Sequence, residues 1–204
     1  MNEKTAFLAP AYFQQTDTCF LAKDLLGKGL YAHVGKGLSG GIIVETEAYC
    51  GTEDKACHAY LHKKKNSAKD MYLSGGHAYI YLCYGIHHLF NIVTHQENEP
   101  HAVLVRAIQP MVGLKQMFER RKMPKGKFAL TSGPGKLSQA LGLSKKQSGL
   151  ALNPQSGIWI RDIGITPMAK DIQAATRIGI DYAEEDALLP YRYYLKGNPW
   201  VSVK

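Results

Sequence analysis

Two glutamates, a tyrosine and a histidine stand close together in the run Ile42–His58, I-I-V-E-T-E-A-Y-C-G-T-E-D-K-A-C-H. The run opens with the alternation of a strand. Ile42, Val44, Thr46 and Ala48 are expected on one face, and Ile43, Glu45, Glu47 and Tyr49 on the other. One side would then pack, while the other carries two carboxylates and an aromatic ring to the strand's end. Cys50-Gly51 break the run, and a polar loop leads to His58. A carboxylate on a strand, followed by an aromatic ring and a histidine, can supply a general base on a rigid support. The same alternation also suits a half-exposed edge strand with solvated glutamates.

A second group is Tyr79-Ile80-Tyr81-Leu82-Cys83-Tyr84-Gly85. Tyr79 and Tyr81 share a face of a strand, and Tyr84 falls at a turn beside Gly85. An aromatic ring at a turn tip can wedge into a base stack, and others can line a pocket for an extruded base. Tyrosine is also a favoured strand residue, so two of the three could be core.

The formal net charge is +8, and its distribution is uneven. Between Met111 and Ser148 lie nine basic residues (Lys115, Arg120, Arg121, Lys122, Lys125, Lys127, Lys136, Lys145 and Lys146) and one acid, Glu119. That segment accounts for the whole excess, so the remainder is balanced. Positive charge concentrated in one segment favours contact with phosphates; a solvated lysine-rich helix and loop is the plainer account.

These groups need elements to position them. At 204 residues, 45% hydrophobic and 21% charged, the chain is expected to fold as one globular domain over 1–204. Thr16–Leu26 reads as a helix capped by Thr16 or Asp17, with Phe20, Leu21, Leu25 and Leu26 on one face. Leu30–Val34, the turn Gly35-Lys36-Gly37 and the run from Leu38 form a hairpin. Further strands are expected at Ala78–Tyr84, Leu89–Thr94, Ala102–Ile108 (ended by Gln109-Pro110), Gly157–Ile163 and Tyr191–Leu195. Val112–Lys122 reads as a helix with Leu114, Met117 and Phe118 inward, and Lys136–Leu141 as a short helix after Ser132-Gly133-Pro134-Gly135. Lys170–Arg177 reads as one or two helical turns, and Lys63-Lys64-Lys65 as a basic loop. The order lacks the regular strand–helix alternation of a doubly wound sheet. The expected class is α+β, a single domain with a curved, mainly antiparallel β-sheet core surrounded by helices.

Cys19, Cys50, Cys57 and Cys83 form no C-x-x-C pair, which points to free thiols in a reducing cytoplasm and to no zinc knuckle. No apolar run approaches the roughly 20 residues that span a bilayer. The start, Met1-Asn2-Glu3-Lys4, precedes too short an apolar stretch for a secretory signal. A cytoplasmic protein without membrane partners or cofactors is expected.

Eight strings together resemble the alkyladenine (3-methyladenine) DNA glycosylase family of the mammalian and Bacillus type. They are L-L-G-K-G-L (25–30), I-V-E-T-E-A-Y-C-G-T-E-D-K-A-C-H (43–58), Y-I-Y-L-C-Y-G-I-H (79–87), F-N-I-V (90–93), A-V-L-V-R-A-I-Q-P (102–110), S-G-P-G-K-L-S-Q-A-L (132–141), R-I-G-I (177–180) and G-N-P-W-V-S (197–202). They occur in the family's order across almost the whole chain. The resemblance implies a base-excision enzyme that flips alkylated or deaminated purines out of double-stranded DNA and hydrolyses the N-glycosidic bond, with no lyase step. Under it, Glu47 is the general base acting on water, and Arg106 helps hold that water. Tyr49, His58 and Tyr81 sandwich the base, with the backbone N–H of His58 on its edge. Asn91 disfavours the exocyclic amino group of guanine, and Tyr84 intercalates where the nucleotide left. A monomer suffices for one duplex site.

One departure stands out. Between His58 and Met71 the family commonly carries arginines and ends in Met-Phe. Here the charge is on lysines and the segment ends in Met71-Tyr72, which gives up bidentate phosphate contacts. Two other readings remain: a metal hydrolase using ligands among Glu45, Glu47, His58, His62, His77, His87 and His88, and a non-catalytic nucleic-acid-binding module on the same fold. The intervening Ala59-Tyr60-Leu61 gives His58-x-x-x-His62 no metalloprotease glutamate.

Overall fold

The computed structural model describes residues 7–203 apart from 36, 63–65 and 125–127. The expected Gly35-Lys36-Gly37 turn and the Lys63–Lys65 cluster therefore lie partly or wholly outside the described residues. The chain runs through α1 (Pro10–Phe13), α2 (Thr18–Asp24), β1 (Gly29–His33), β2 (Leu38–Tyr49), β3 (Ala78–Cys83), β4 (His87–Thr94) and β5 (His101–Val112). It continues through α3 (Leu114–Arg121), α4 (Pro134–Leu141), β6 (Ile158–Arg161), β7 (Ile172–Ala175) and β8 (Arg192–Leu195), with short 3₁₀ turns between.

The strands form one curved antiparallel sheet in the order β3-β4-β5-β2-β1-β6, with β8 joining β2 and β7 joining β8. This is the expected α+β architecture. β2 is its axis: β5 covers one edge from Gly40 to Tyr49, while β1 pairs with Leu38–Ile42 and β8 with Glu45–Glu47 along the other. A strand paired on both edges is held against slippage, which suits one that carries buried charge.

The helical layer lies on one face. Asp17 caps α2 by accepting a hydrogen bond from the Phe20 N–H at 2.8 Å. Leu21 and Ala22 of α2 and Leu25 at its C-terminal cap pack with Leu137, Ala140 and Leu141 of α4 against Ile43, Ala48, Ile80, Phe90, Val103 and Val105 of the sheet. Each buried Leu or Phe contributes about 1.5–3 kcal/mol relative to exposure. The opposite face of the sheet carries Tyr79, Val93 and Ala102, which pack with Cys57, Ala59, Ala68 and Met71.

Several expectations give way here. The two faces of β2 are not those of a plain alternation. The register runs Ile43 to Ile108, Glu45 to Ala107 and Thr46 to Val105, so Val44 is an extra residue on β2 and Arg106 an extra one on β5. Each bulge inserts one residue and inverts the faces beyond it. Ile43 therefore joins the helical layer with Thr46 and Ala48, and the Thr46 hydroxyl donates to the Ala22 carbonyl at 2.7 Å. Ile42 and Val44 pack in a separate cluster with Val201 and Trp200. Phe20 and Leu114 are exposed and not inward, so only Met117 and Phe118 anchor α3.

Pro110 does not end its strand. β5 continues to Val112 because Gly40 and Gly41 lie opposite with a register shift between them. A Cβ on Gly41 would stand 2.1 Å from the Gln109 carbonyl oxygen, so only glycine admits this approach. Residues 172–175 form strand β7, not a helix, because β8 offers them an edge. Only Ala169–Asp171 turns helically.

Candidate active site

On the non-helical face, β2, β3, β4 and β5 present Tyr49, Tyr79, Tyr81, Asn91, Leu104 and Arg106 to a cavity of about 830 Å³. The 56–58 loop, Ile178–Tyr182 and the turn entering α4 complete its walls. Its lining is mainly aromatic and apolar, the usual make-up of a site for a flat organic group.

Behind that wall lies a buried charge network. Glu45 and Glu47 are wholly buried. Glu45 Oε1 accepts from Arg106 Nε at 3.1 Å, Arg192 Nη1 at 3.0 Å and Ser202 Oγ at 2.9 Å, while its Oε2 accepts from the Ser202 N–H at 2.6 Å. Glu45 is thus saturated by structural donors. Glu47 is held differently. Its Oε1 faces Arg106 Nη1 at 3.1 Å and accepts from the Ile178 N–H at 2.9 Å, and its Oε2 accepts from the Tyr49 hydroxyl at 3.0 Å. Glu47 is not itself on the cavity wall; Tyr49, Arg106 and Ile178, its three partners, are.

The bulge explains Arg106. The extra residue on β5 turns its side chain into the gap between the two glutamates, where one guanidinium serves both. Burial disfavours its charge, but Glu47 and Glu45 outweigh that and raise its pKa. Burial, with the Glu47 charge behind it, also raises the Tyr49 phenol well above its ordinary value. Tyr49 therefore stays a hydrogen-bond donor to the carboxylate.

A second buried pair supports the first. Arg177 Nη1 reaches Asp54 Oδ2 at 2.5 Å and the Ala48 carbonyl at 2.9 Å, and its Nη2 reaches Asp54 Oδ1 at 2.9 Å. Its guanidinium lies 5.0 Å from the Tyr49 ring centroid. One arginine thus ties the end of β2, the loop leading to His58 and the segment that supplies the Ile178 N–H.

The remaining aromatics follow from strand geometry. Tyr79 and Tyr81 share a face of β3, as expected, and His58 packs edge-on to Tyr81 with ring centroids 4.4 Å apart. His58 Nδ1 is 2.7 Å from the Tyr79 hydroxyl, and burial raises the pKa of both tyrosines. Asn91 is buried, and its Nδ2 donates to the Tyr79 and Leu89 carbonyls at 3.0 and 3.2 Å. With both amide protons committed, its contribution to the cavity is an acceptor oxygen.

Tyr84 stands apart. It occupies the tip of the β3–β4 hairpin with φ +50, next to Gly85 at φ +71, and is 85% exposed. Ile86 beside it is also exposed, so the tip is an apolar projection at the cavity's rim.

The basic segment divides. Lys136 and Lys145 reach the cavity lining, whereas Arg120 is used internally, donating to Ser39 Oγ and to the Val34 and Ala140 carbonyls. Arg121 is engaged with Gln139. Lys125 and Lys127 lie outside the described residues. Among the described residues no three His, Cys, Asp or Glu side chains converge as a metal site would require, and no helix is long and apolar enough to cross a membrane.

Sequence reasoning therefore located Glu47, Tyr49, His58, Tyr81, Asn91 and Arg106 around one cavity, and Tyr84 at its rim. It missed Asp54, Arg177, Tyr182, Arg192 and Ser202. Arg177 and Ser202 lie within the R-I-G-I and G-N-P-W-V-S strings, which were the only signal for them. Asp54 and Arg177 are 123 residues apart, so no local pattern pairs them.

Comparison with known proteins points the same way. The methylpurine-DNA glycosylase family matches residues 12–199. A protein of Natranaerobius thermophilus that bears the name 3-methyladenine DNA glycosylase is 43% identical over 192 residues, covering 94% of this chain and 96% of its own. Relatives of that name from Chlamydia felis and Bacillus cereus G9842 are 47% identical over 190 residues and 42% over 205. They cover 92% and 96% of this chain, and 95% and 99% of their own lengths. Such identity over nearly the full length, with the buried glutamates and the aromatic cavity in place, means that the chain belongs to the methylpurine-DNA glycosylase family and is a DNA glycosylase acting on alkylated bases.

Proposed function

We propose that this enzyme flips alkylated or deaminated purines out of double-stranded DNA and hydrolyses the N-glycosidic bond by a water that Glu47 activates. The observation that carries the reading is the Glu47 carboxylate. It is wholly buried, oriented by Arg106 and the Ile178 N–H, and separated from an aromatic cavity only by groups that line it. Its Oε2 carries the Tyr49 hydroxyl, and because Tyr49 lines the cavity, displacing that hydroxyl opens Oε2 to a water there. Water drawn there by Glu47 and Arg106 loses a proton as it attacks C1′, and the fixed negative charge offsets the oxocarbenium character of the sugar.

Tyr49, His58 and Tyr81 stack on the base, and a cationic alkylated purine gains further from their electron-rich faces. Asn91 presents an acceptor, which would not repel an amino donor. Its discrimination against guanine's exocyclic amino group is therefore steric. Tyr84 fills the gap in the duplex, and Lys136 and Lys145 meet phosphates near the flipped nucleotide. The enzyme acts as a monomer and makes no strand break.

The test is chromatography of released bases from duplexes carrying 3-methyladenine, 7-methylguanine, hypoxanthine or ethenoadenine, one lesion each, with Glu47→Gln as control. Release of free base from at least one duplex, slowed by about 10²-fold or more in the variant, is expected. Absence of release from all four, or strand cleavage without alkali, would overturn the reading.

A further inference from the structure

Two cysteines that the proposed chemistry does not use sit against its supports. Cys19 lies in α2 and Cys50 directly follows Tyr49 at the end of β2. Their sulfurs are 3.9 Å apart, and both side chains are only part-buried. We propose that Cys19 and Cys50 form a reversible oxidation site, which takes peroxide-class oxidants and closes to a disulfide tying α2 to the end of β2.

The geometry makes the pair selective among the four thiols. A disulfide needs sulfurs about 2.05 Å apart, so the gap to close is about 1.9 Å, which side-chain rotation and a small movement of the Cys50 backbone together span. Cys57 is buried and its Sγ is turned to the Pro100 carbonyl, and Cys83 lies on β3, part-buried in the cavity lining. Acidity runs the same way. The hydrogen bond from Cys50 lowers the Cys19 thiol to about 7, whereas burial pushes Cys57 up to about 12 and raises Cys83 as well. The same contact raises Cys50, so the pair gives up its first proton more readily than an isolated thiol and its second less readily.

The chemistry balances in two steps. The Cys19 thiolate attacks one oxygen of hydrogen peroxide; the O–O bond breaks, Cys19 becomes a sulfenic acid and hydroxide leaves. Cys50 sulfur then attacks Cys19 sulfur; the S–S bond forms, the S–O bond breaks, and the departing hydroxide takes the Cys50 proton as water. The hydroxide released in the first step takes up the proton that Cys19 lost to solvent on ionising, so overall two thiols lose two electrons and one peroxide becomes two waters. A dithiol reductant reverses the change by thiol–disulfide exchange.

The bond would reach the cavity. The Cys50 N–H donates to Asp54 Oδ2 at 2.9 Å, the oxygen that Arg177 holds, and Tyr49 is the preceding residue. Drawing Cys50 toward α2 shifts the junction that orients Tyr49. A misplacement of about 1 Å costs on the order of 10²-fold in rate, so the oxidised enzyme is expected to release base at least severalfold more slowly. This last consequence rests on the proposed excision reaction; the cross-link does not.

The full chain, fully reduced, would be exposed to a small excess of hydrogen peroxide, its free thiols alkylated, and its peptides mapped by mass. A Cys19–Cys50 cross-linked peptide that dithiothreitol dissolves is expected, and neither Cys19→Ser nor Cys50→Ser should yield it. Earlier oxidation of Cys57 or Cys83, or accumulation of a Cys19 sulfinic acid without the cross-link, would overturn the site. Single-turnover base release should fall on oxidation and recover on reduction, with the Cys19→Ser/Cys50→Ser double variant indifferent to peroxide. Equal rates for oxidised and reduced enzyme would overturn the link to the cavity. If the reduced enzyme releases no base, the excision reading fails while the peptide map still decides the oxidation site.

Discussion

Glu47→Gln separates chemistry from architecture because the site can hold the amide almost as it holds the acid. The Gln oxygen can accept from Arg106 and from the Ile178 N–H in place of Oε1. The Gln NH₂ can donate to the Tyr49 hydroxyl oxygen, reversing that hydrogen bond without losing it. What disappears is one negative charge. Arg106 keeps Glu45 at 3.1 Å, so no arginine is left buried without a carboxylate. The fold should lose about 1–3 kcal/mol, the difference between charge-assisted and neutral hydrogen bonds at this site. That is below the roughly 5–15 kcal/mol of a typical domain, so the variant stays folded. On the proposed mechanism the reaction loses its general base, worth about 10²–10⁴-fold, or roughly 3–5 kcal/mol of barrier. Single-turnover base release on a lesion duplex, with fluorescence anisotropy for binding, measures both sides. Tight binding and release slowed at least 10²-fold, as general-base loss requires, is the expected result. Release within a few-fold of the wild-type rate from a well-folded variant would refute the assignment of Glu47.

Three other predictions follow from named contacts. Tyr84→Ala should weaken binding to damaged duplex by about 1–3 kcal/mol, the worth of one aromatic stack, and leave Tm unchanged because the ring is 85% exposed; unaltered affinity and base-flipping fluorescence would remove its role. Arg177→Met leaves the buried Asp54 carboxylate without its ion-pair partner and should cost about 3–5 kcal/mol in urea unfolding, with Asp54→Asn added to it restoring part of the loss. His101, stacked 3.7 Å from His95, has its pKa lowered to about 4 by burial and by that neighbour. Because the folded value lies below the unfolded value of about 6.5, the unfolded chain binds more protons between them, so this stability is complete above about pH 6.5 and is lost as pH falls toward 4. A loss of about 1–3 kcal/mol over that window, smaller in His101→Asn, is expected from urea titrations at several pH values; a variant with the wild-type pH slope would contradict it.

The order of elements, the antiparallel sheet and the nature of the cavity were legible in the sequence because each is written in short-range pattern. Alternation marked β2 and β3, Gly85 marked the tip that exposes Tyr84, and the paired glutamates before Tyr49 marked the charged face. Matching strings then picked Glu47 over Glu45. Three-dimensional pairing decided the rest. Whether Ile43 faced the helices or the cavity depended on two bulges, and a bulge is a relation between β2 and β5 that neither strand displays alone. Ile172–Ala175 became a strand because β8, some 20 residues on, supplied an edge. The clamp of Asp54 by Arg177 and the saturation of Glu45 by Arg192 and Ser202 join residues more than 100 positions apart. Local sequence specifies which side chains a strand can present. Only the folded chain brings together the distant donors that leave one of two adjacent glutamates locked in structure and the other placed behind the wall of the cavity.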